Sequence, residues 1–171
     1  EKIIADFYNA PYAVAVDSCT HALELSLRLL KIKETRCPAH TYLSVPMTLE
    51  KLNINWEFEE IPWHDYYWLH GTPIIDAAVF WQKDGYKPAS LMCLSFQFQK
   101  QLNLIRGGAI LTDNYEYAHQ LKLMSYDGRE PGVPWKQQKI SQLGFHYYMP
   151  PETAQLGITK FPESASKPAR A

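Results

Sequence analysis

The stretch YAVAVDSCTHALELSLRLLKI, Tyr12 to Ile32, decides the fold class. Its first five residues are apolar and partly β-branched, with Pro11 before them and Asp17 and Ser18 after, the pattern of a short buried strand. From Thr20 to Ile32, residues Ala22, Leu25, Leu29 and Ile32 recur at helical spacing beside Leu23, Leu27 and Leu30, while Glu24, Arg28 and Lys31 make a polar stripe. Ser18 or Thr20 supplies the N-cap. A strand that turns at once into an amphipathic helix is the unit from which α/β proteins are built.

Outward from that unit, the spacing predicts a helix from Val45 to about Leu52, with Pro46 tolerated in its first turn, and a strand over Ile54–Ile61. PIIDAA (73–78), SLMCLSF (90–96) and GAILT (108–112) read as strands of a covered sheet. Asp113 with Glu116 resembles a capping box that opens a helix to about Ser125, and a last helix is expected from Pro151 to about Lys160. The expectation is an α/β three-layer sandwich over residues 1–161, followed by a Pro-, Ser- and Ala-rich tail, 162–171.

Composition narrows the function. Lys and Arg number 17 against 18 Asp and Glu, so the chain lacks the electrostatic footprint of a nucleic-acid or anionic-membrane binder. No apolar run approaches the roughly 20 residues that span a bilayer, and the first residues lack the plan of a signal peptide. Three widely spaced cysteines, Cys19, Cys37 and Cys93, suggest neither a disulfide framework nor a Cys-rich zinc site and point to a reducing, cytoplasmic setting. The chain opens at Glu1, apparently inside an amphipathic segment, and is read as a fragment or a processed chain.

In open α/β sheets ligands sit beyond the carboxyl ends of the strands, so the polar residues that end the apolar runs matter most. YAVAV ends at Asp17, Ser18, Cys19 and Thr20 and starts a helix; PII ends at Asp76; SLMCL ends at Ser95, with Lys100 five residues on. A helix N-terminus with two hydroxyls is a phosphate cradle by geometry. Taken singly these residues are caps, turn formers and solvated surface; their joint placement carries the information.

VAVDSCTHALELSL (14–27), PIIDAA (73–78) and SFQFQKQLNLIRGGAILTDN (95–114) resemble the phosphate loop, the aspartate strand and the lysine–glycine block of the DegT/DnrJ/EryC1/StrS family of pyridoxal-phosphate-dependent sugar aminotransferases. Weaker echoes lie at 39–49 and 143–161. The resemblance covers nearly the whole chain but only the family's large domain. It implies the large domain of fold type I transferases; against that pattern this chain is expected to have a reduced sheet and to lack the small C-terminal domain and the usual N-terminal helix. It implies that Lys100 links covalently to pyridoxal 5'-phosphate and later shuttles a proton, and that Asp76 keeps the pyridine nitrogen protonated. Ser18, Cys19, Thr20 and Ser95 would hold the phosphate, Tyr42 would stack on the ring, and His146 aligns with an asparagine that reaches the neighbouring subunit's phosphate.

Three positions depart from the family. Val79 stands where an amide usually bonds the cofactor's phenolic oxygen, His146 replaces the asparagine, and Tyr148 replaces an arginine; the segment Pro62–Thr72 also stands where a strand and helix are expected. Two functions therefore compete. One is transfer of an amino group from an amino acid such as glutamate to a keto-sugar nucleotide. The alternative is a reduced, non-catalytic relative that binds pyridoxal phosphate or a phosphorylated sugar, or keeps only the fold. With aromatics at 13% of residues, exposed apolar surface and a homodimer with its site near the interface are expected. His64, Asp65 and His70 beside Tyr66, Tyr67 and Trp68 fit no metal signature and read as a shortened loop that packs its aromatics on the core, so no metal is expected.

Overall fold

The elements of the computed structural model, which describes residues 1–168, are α1 (Lys2–Tyr8), β1 (Tyr12–Val16), α2 (Cys19–Leu29), β2 (Glu34–Pro38), α3 (Ser44–Lys51), β3 (Asn55–Glu59), β4 (Tyr67–Trp68), β5 (Ile74–Asp76), β6 (Leu91–Ser95), β7 (Gly108–Thr112), α4 (Tyr115–Ser125) and α5 (Pro151–Ala165). Side-chain alternation along the strands makes three layers of them. Val14, Val16, Ile74, Leu91, Cys93 and Ile110 face a core shared with Leu23, Leu25 and Leu27 of α2, Leu49 of α3 and Leu121 of α4. Their neighbours Ile75, Met92, Leu94, Ala109 and Leu111 face the other way, onto Phe7 and Tyr8 of α1, the loop residues Phe80 and Trp81, and Leu156 and Phe161 of α5. Each fully buried large side chain contributes roughly 1.5–3 kcal/mol of burial, so both faces of one sheet are driven under cover.

The main sheet runs β1-β7-β6-β5-β4 and is mixed: β6 and β5 pair parallel, whereas β1–β7, β7–β6 and β5–β4 are antiparallel. The expected strand over Ile54–Ile61 exists as β3 but stands outside that sheet, pairing parallel with β2 in a separate ribbon. β2 was not foreseen, because ETRCP has no apolar run; only Thr35, Cys37 and Pro38 of it turn inward. Phe58 of β3 is 53% exposed and meets edge-on Trp56, which is partly buried against the core.

Four local readings change. The expected absence of an N-terminal helix is overturned by α1, which ends at Asn9 in a left-handed conformation (φ 58°). Asn114, not Asp113, caps α4 by accepting from the Tyr117 amide at 3.1 Å, while Asp113 accepts from the Ala89 amide at 2.7 Å. The last helix runs past Lys160 and through Pro162 to Ala165, into the expected tail; Trp81 donates to the Ser164 carbonyl at 3.0 Å and Phe161 meets the Phe7 ring, which anchors the turn that proline weakens. The remaining tail residues 169–171 lie outside the described ones. Finally, the short segment Pro62–Thr72 does supply a sheet element, the two-residue edge strand β4.

One charged group is buried in the helical layer. Glu24 of α2, 1% exposed, accepts from Arg28 at 2.9 Å and Lys51 at 2.8 Å. Burial alone would raise its carboxyl, but the hydrogen bonds from Lys51 and Arg28 outweigh it and hold the group below the usual range. A carboxyl depressed by folding adds stability above its unfolded pKa and loses it as pH falls through the folded value. Glu24→Gln should therefore cost about 2 kcal/mol at neutral pH, less than a fully enclosed pair because Lys51 and Arg28 reach solvent, and should flatten the loss of stability below about pH 4. Urea unfolding between pH 3 and 7 measures both; an unchanged acid limb would remove Glu24 from the account.

Candidate functional site

Helix α2 begins where β1 ends because Ser18 is extended (φ −164°) and its Oγ accepts from the His21 amide at 3.2 Å. That leaves the first amides of α2 directed at a cavity of about 480 Å³, within the range of small-molecule sites. Its wall brings together seven of the eight residues singled out from the sequence: Ser18, Cys19, Thr20, Tyr42, Asp76, Ser95 and Lys100. His146 is not among them. Its ring contacts Asp127 at 3.0 Å on an exposed surface beyond α4.

Strand β7 can pass the start of α2 only because residue 108 is glycine. A Cβ there would lie 2.6 Å from the Ser18 carbonyl carbon and 2.7 Å from the Cys19 nitrogen. Ser95 pairs with Gly108 in the sheet, so the end of β6, the start of β7 and the start of α2 meet at one point.

Asp76 closes the deep end. It is 6% exposed, and its oxygens accept from the Tyr67 hydroxyl at 2.7 Å and the Ala78 amide at 2.9 Å. Burial pushes its carboxyl above the usual range, opposed by those two donors and by the Lys100 charge. Burial also drives the Tyr67 hydroxyl strongly upward, with the Asp76 charge adding to it, so Tyr67 keeps its proton and donates. The Lys100 ammonium acts on Cys19 as well, whose thiol is raised first by burial and then by Asp76. Lysine and carboxylate thus face one enclosed volume from the ends of different strands.

The other lining residues have mixed duties. Ser18 is both cap and wall. Thr20 donates to Ser44 at 2.9 Å and so ties α2 to α3, and Tyr42, 76% exposed, stands at the mouth. Val79 lines the wall with no polar atom to offer. The sequence reading passed over Tyr67, Arg106, Thr41, Trp63 and Gln97, all on this cavity. Tyr67 was findable in principle: it lies opposite Asp76 in the β4–β5 register, a pairing that the Gly71 turn brings about. Its aromatic neighbours drew it into a packing role, which it also fulfils at 4% exposure.

The arrangement fits a flat, ring-bearing phosphate ester. Helix amides and hydroxyls suit the phosphate, and a buried carboxylate that accepts from the Tyr67 hydroxyl and the Ala78 amide favours a cationic ring nitrogen against it. Among the described residues no group of three or more His, Cys, Asp or Glu could hold a metal, and no helix is long and apolar enough to cross a membrane.

A family model described as the DegT/DnrJ/EryC1/StrS aminotransferase family matches residues 1–66 and 82–168. The gap between the two blocks contains β4, β5 and Asp76, so the placement of that carboxylate rests on the geometry above. The sequence matches none of the curated proteins compared with it. Among solved structures, AtS13 from Actinomadura melliaura superposes with a TM-score of 0.82 at 17% identity, covering 95% of this chain and 58% of its own. NtdA from Bacillus subtilis with bound cofactor PMP gives 0.81 at 20%, covering 96% and 47%. PseC from Helicobacter pylori, an aminotransferase involved in the biosynthesis of pseudoaminic acid, gives 0.77 at 13%, covering 96% and 56%. The chain therefore spans about half to three fifths of the length of these relatives, and at such identities the likeness is one of fold.

Proposed function

The chain belongs to the DegT/DnrJ/EryC1/StrS aminotransferase family, and from that premise we propose that its cavity holds pyridoxal 5'-phosphate and serves amino transfer from an amino acid such as glutamate to a keto-sugar nucleotide. The observation that carries the reading is the enclosed Asp76, held by Tyr67 and Ala78, facing the same volume as Lys100 and the start of α2. When bound, the cofactor carries the amino group between donor and acceptor and draws electron density into its ring from the bond being broken.

The protein's own groups do the rest. The amides of α2, Ser18, Thr20 and Ser95 orient the phosphate end. Asp76, fixed by two donors, holds a proton on the ring nitrogen, because an enclosed carboxylate is most stable against a cation. Lys100 is the amine on the cavity wall, and it would act as nucleophile and base in its neutral form. Tyr42, exposed at the mouth, and Trp63 on the wall would restrict water. The amino acid leaves as its 2-keto acid, and the sugar C=O becomes C–NH2.

A homodimer in the cytoplasm completes the proposal. Tyr42, Leu43 and Met47 are exposed in one run beside the cavity mouth, where a second copy would cover them. The three free cysteines suit a reducing compartment. A second reading, retention of the cofactor without turnover, is favoured by Val79, whose side chain has no donor to offer a phenolic oxygen.

Titration with pyridoxal 5'-phosphate, followed by visible absorbance, separates these readings. A saturable protein-dependent band that shifts on adding glutamate is expected for the aminotransferase. A band indifferent to every amino acid tried would leave the binding reading, and no band would end both. Sedimentation of the same sample at micromolar concentration should show a dimer, and a monomer alone would remove that part.

A further inference from the structure

The cavity wall carries a second cation for which the chemistry above has no use. Arg106 sits in the loop that leads from Lys100 back to β7, and its Nη2 lies 2.9 Å from Asp17 Oδ2. The other Asp17 oxygen accepts from Ser18 Oγ at 3.2 Å and contacts the His21 ring, which is itself stacked on Tyr147 with centroids 3.6 Å apart. Asp17 is thus pinned at the start of α2, its side chain only 18% exposed, and it holds the guanidinium beside Ser18.

Charge accounting gives Arg106 its task. Of the described residues lining the cavity, only Asp76, Lys100 and Arg106 are charged. Lys100 acts on Asp76 and Cys19. A phosphate monoester on Ser18 and Thr20 would otherwise meet only the partial charge of a helix terminus, about half an elementary charge. A guanidinium has five donors in a planar fork, so one bond to Asp17 leaves the rest for a second anion. The Asp17 carboxylate would repel a phosphate if it stood alone; its ion pair with Arg106 offsets that repulsion, and the anchor acts through the donors of the guanidinium that Asp17 leaves over.

We infer that Arg106 is a phosphate-anchoring residue of this cavity, aimed by Asp17 as a positioning residue, and that the group it binds is the phosphate monoester of the cofactor. The inference rests on the reading of the cavity as a pyridoxal-phosphate site, but the recognition is of phosphate, so inorganic phosphate occupies the same place more weakly.

The test uses the whole chain and no turnover. Wild type, Arg106→Gln and Arg106→Lys are titrated with inorganic phosphate by ³¹P line broadening, and with pyridoxal 5'-phosphate and phosphate-free pyridoxal by absorbance, with thermal melting as a check on the fold. Arg106→Gln is expected to weaken phosphate and pyridoxal 5'-phosphate about tenfold or more and to leave pyridoxal unchanged, the order for one charge-assisted bond partly open to solvent. Arg106→Lys should recover part of the loss, as a point charge without the fork. If both variants bind pyridoxal 5'-phosphate and phosphate as wild type does, the anchor is overturned while the cofactor reading stands. Arg106-dependent phosphate binding without any absorbance band would keep the anchor and end the cofactor reading. Binding of neither ligand by wild type overturns both.

Discussion

Lys100→Ala is expected to remove the visible band that pyridoxal 5'-phosphate gives with the wild-type protein and to lower any amino transfer by at least about a thousandfold. The cavity leaves nothing to stand in for it. Its other cation, Arg106, carries a guanidinium, which is a hydrogen-bond donor and no substitute for an amine nucleophile or base. The nearest thiol, Cys19, is pushed up by burial and by Asp76, so it is a poor nucleophile. General acid–base catalysis alone is worth about 10²–10⁴-fold, and Lys100 would supply covalent attachment as well. The side chain leaves from a half-buried loop, and a band of wild-type size in a folded variant would contradict the assignment.

Gly108→Val carries the largest expected cost to stability. The added Cβ would stand 2.6–2.8 Å from the Ser18 carbonyl carbon, the Cys19 nitrogen and the Leu94 oxygen, all of them backbone. No side chain can rotate away. Either β7 retreats from its pairing with β1 and β6, or α2 is pushed off the sheet and its amides turn from the cavity. A cost of about 3 kcal/mol or more follows, at the upper end of overpacking, with a fall of roughly 6–12 °C in Tm for a domain of this size. Phosphate affinity should fall in the same variant, since the clash is at the residues that line the phosphate end. A calorimetric scan that matches wild type would show that the strand yields without penalty.

The candidate site was more legible in the sequence than the sheet around it. Ser18, Asp76, Ser95 and Lys100 could be found because each ends or follows an apolar run, and strand ends converge by topology whatever the side-chain detail. Arg106 could not, since its role comes from a loop that folds back to Asp17, and Tyr67 only through its pairing with Asp76 across a hairpin, neither of which leaves a period in the sequence. The same limit hid β2: a ribbon open on one side needs no continuous apolar run. It also misplaced β3, because periodicity reports that a strand exists and says nothing of its partner. Asp113 lost the cap of α4 to its neighbour Asn114 by one residue, a difference settled by which side chain reaches the Tyr117 amide.

Strand β1 sits at the edge of the sheet and pairs with β7, residue Tyr12 against Thr112, about a hundred positions later. The helix that offers the phosphate cradle thus lies far earlier in the chain than the strand that aligns it, which is the last of the sheet in chain order. Closing so long a loop is an entropic barrier that local helix formation does not relieve, and proteins dominated by such distant pairings fold slowly. The two halves of the cavity, α2 on one side and the Lys100–Arg106 loop on the other, become a site only when that final pairing locks. Acquisition of phosphate or cofactor binding during refolding should therefore trail the appearance of helical signal and mark the completion of the sheet.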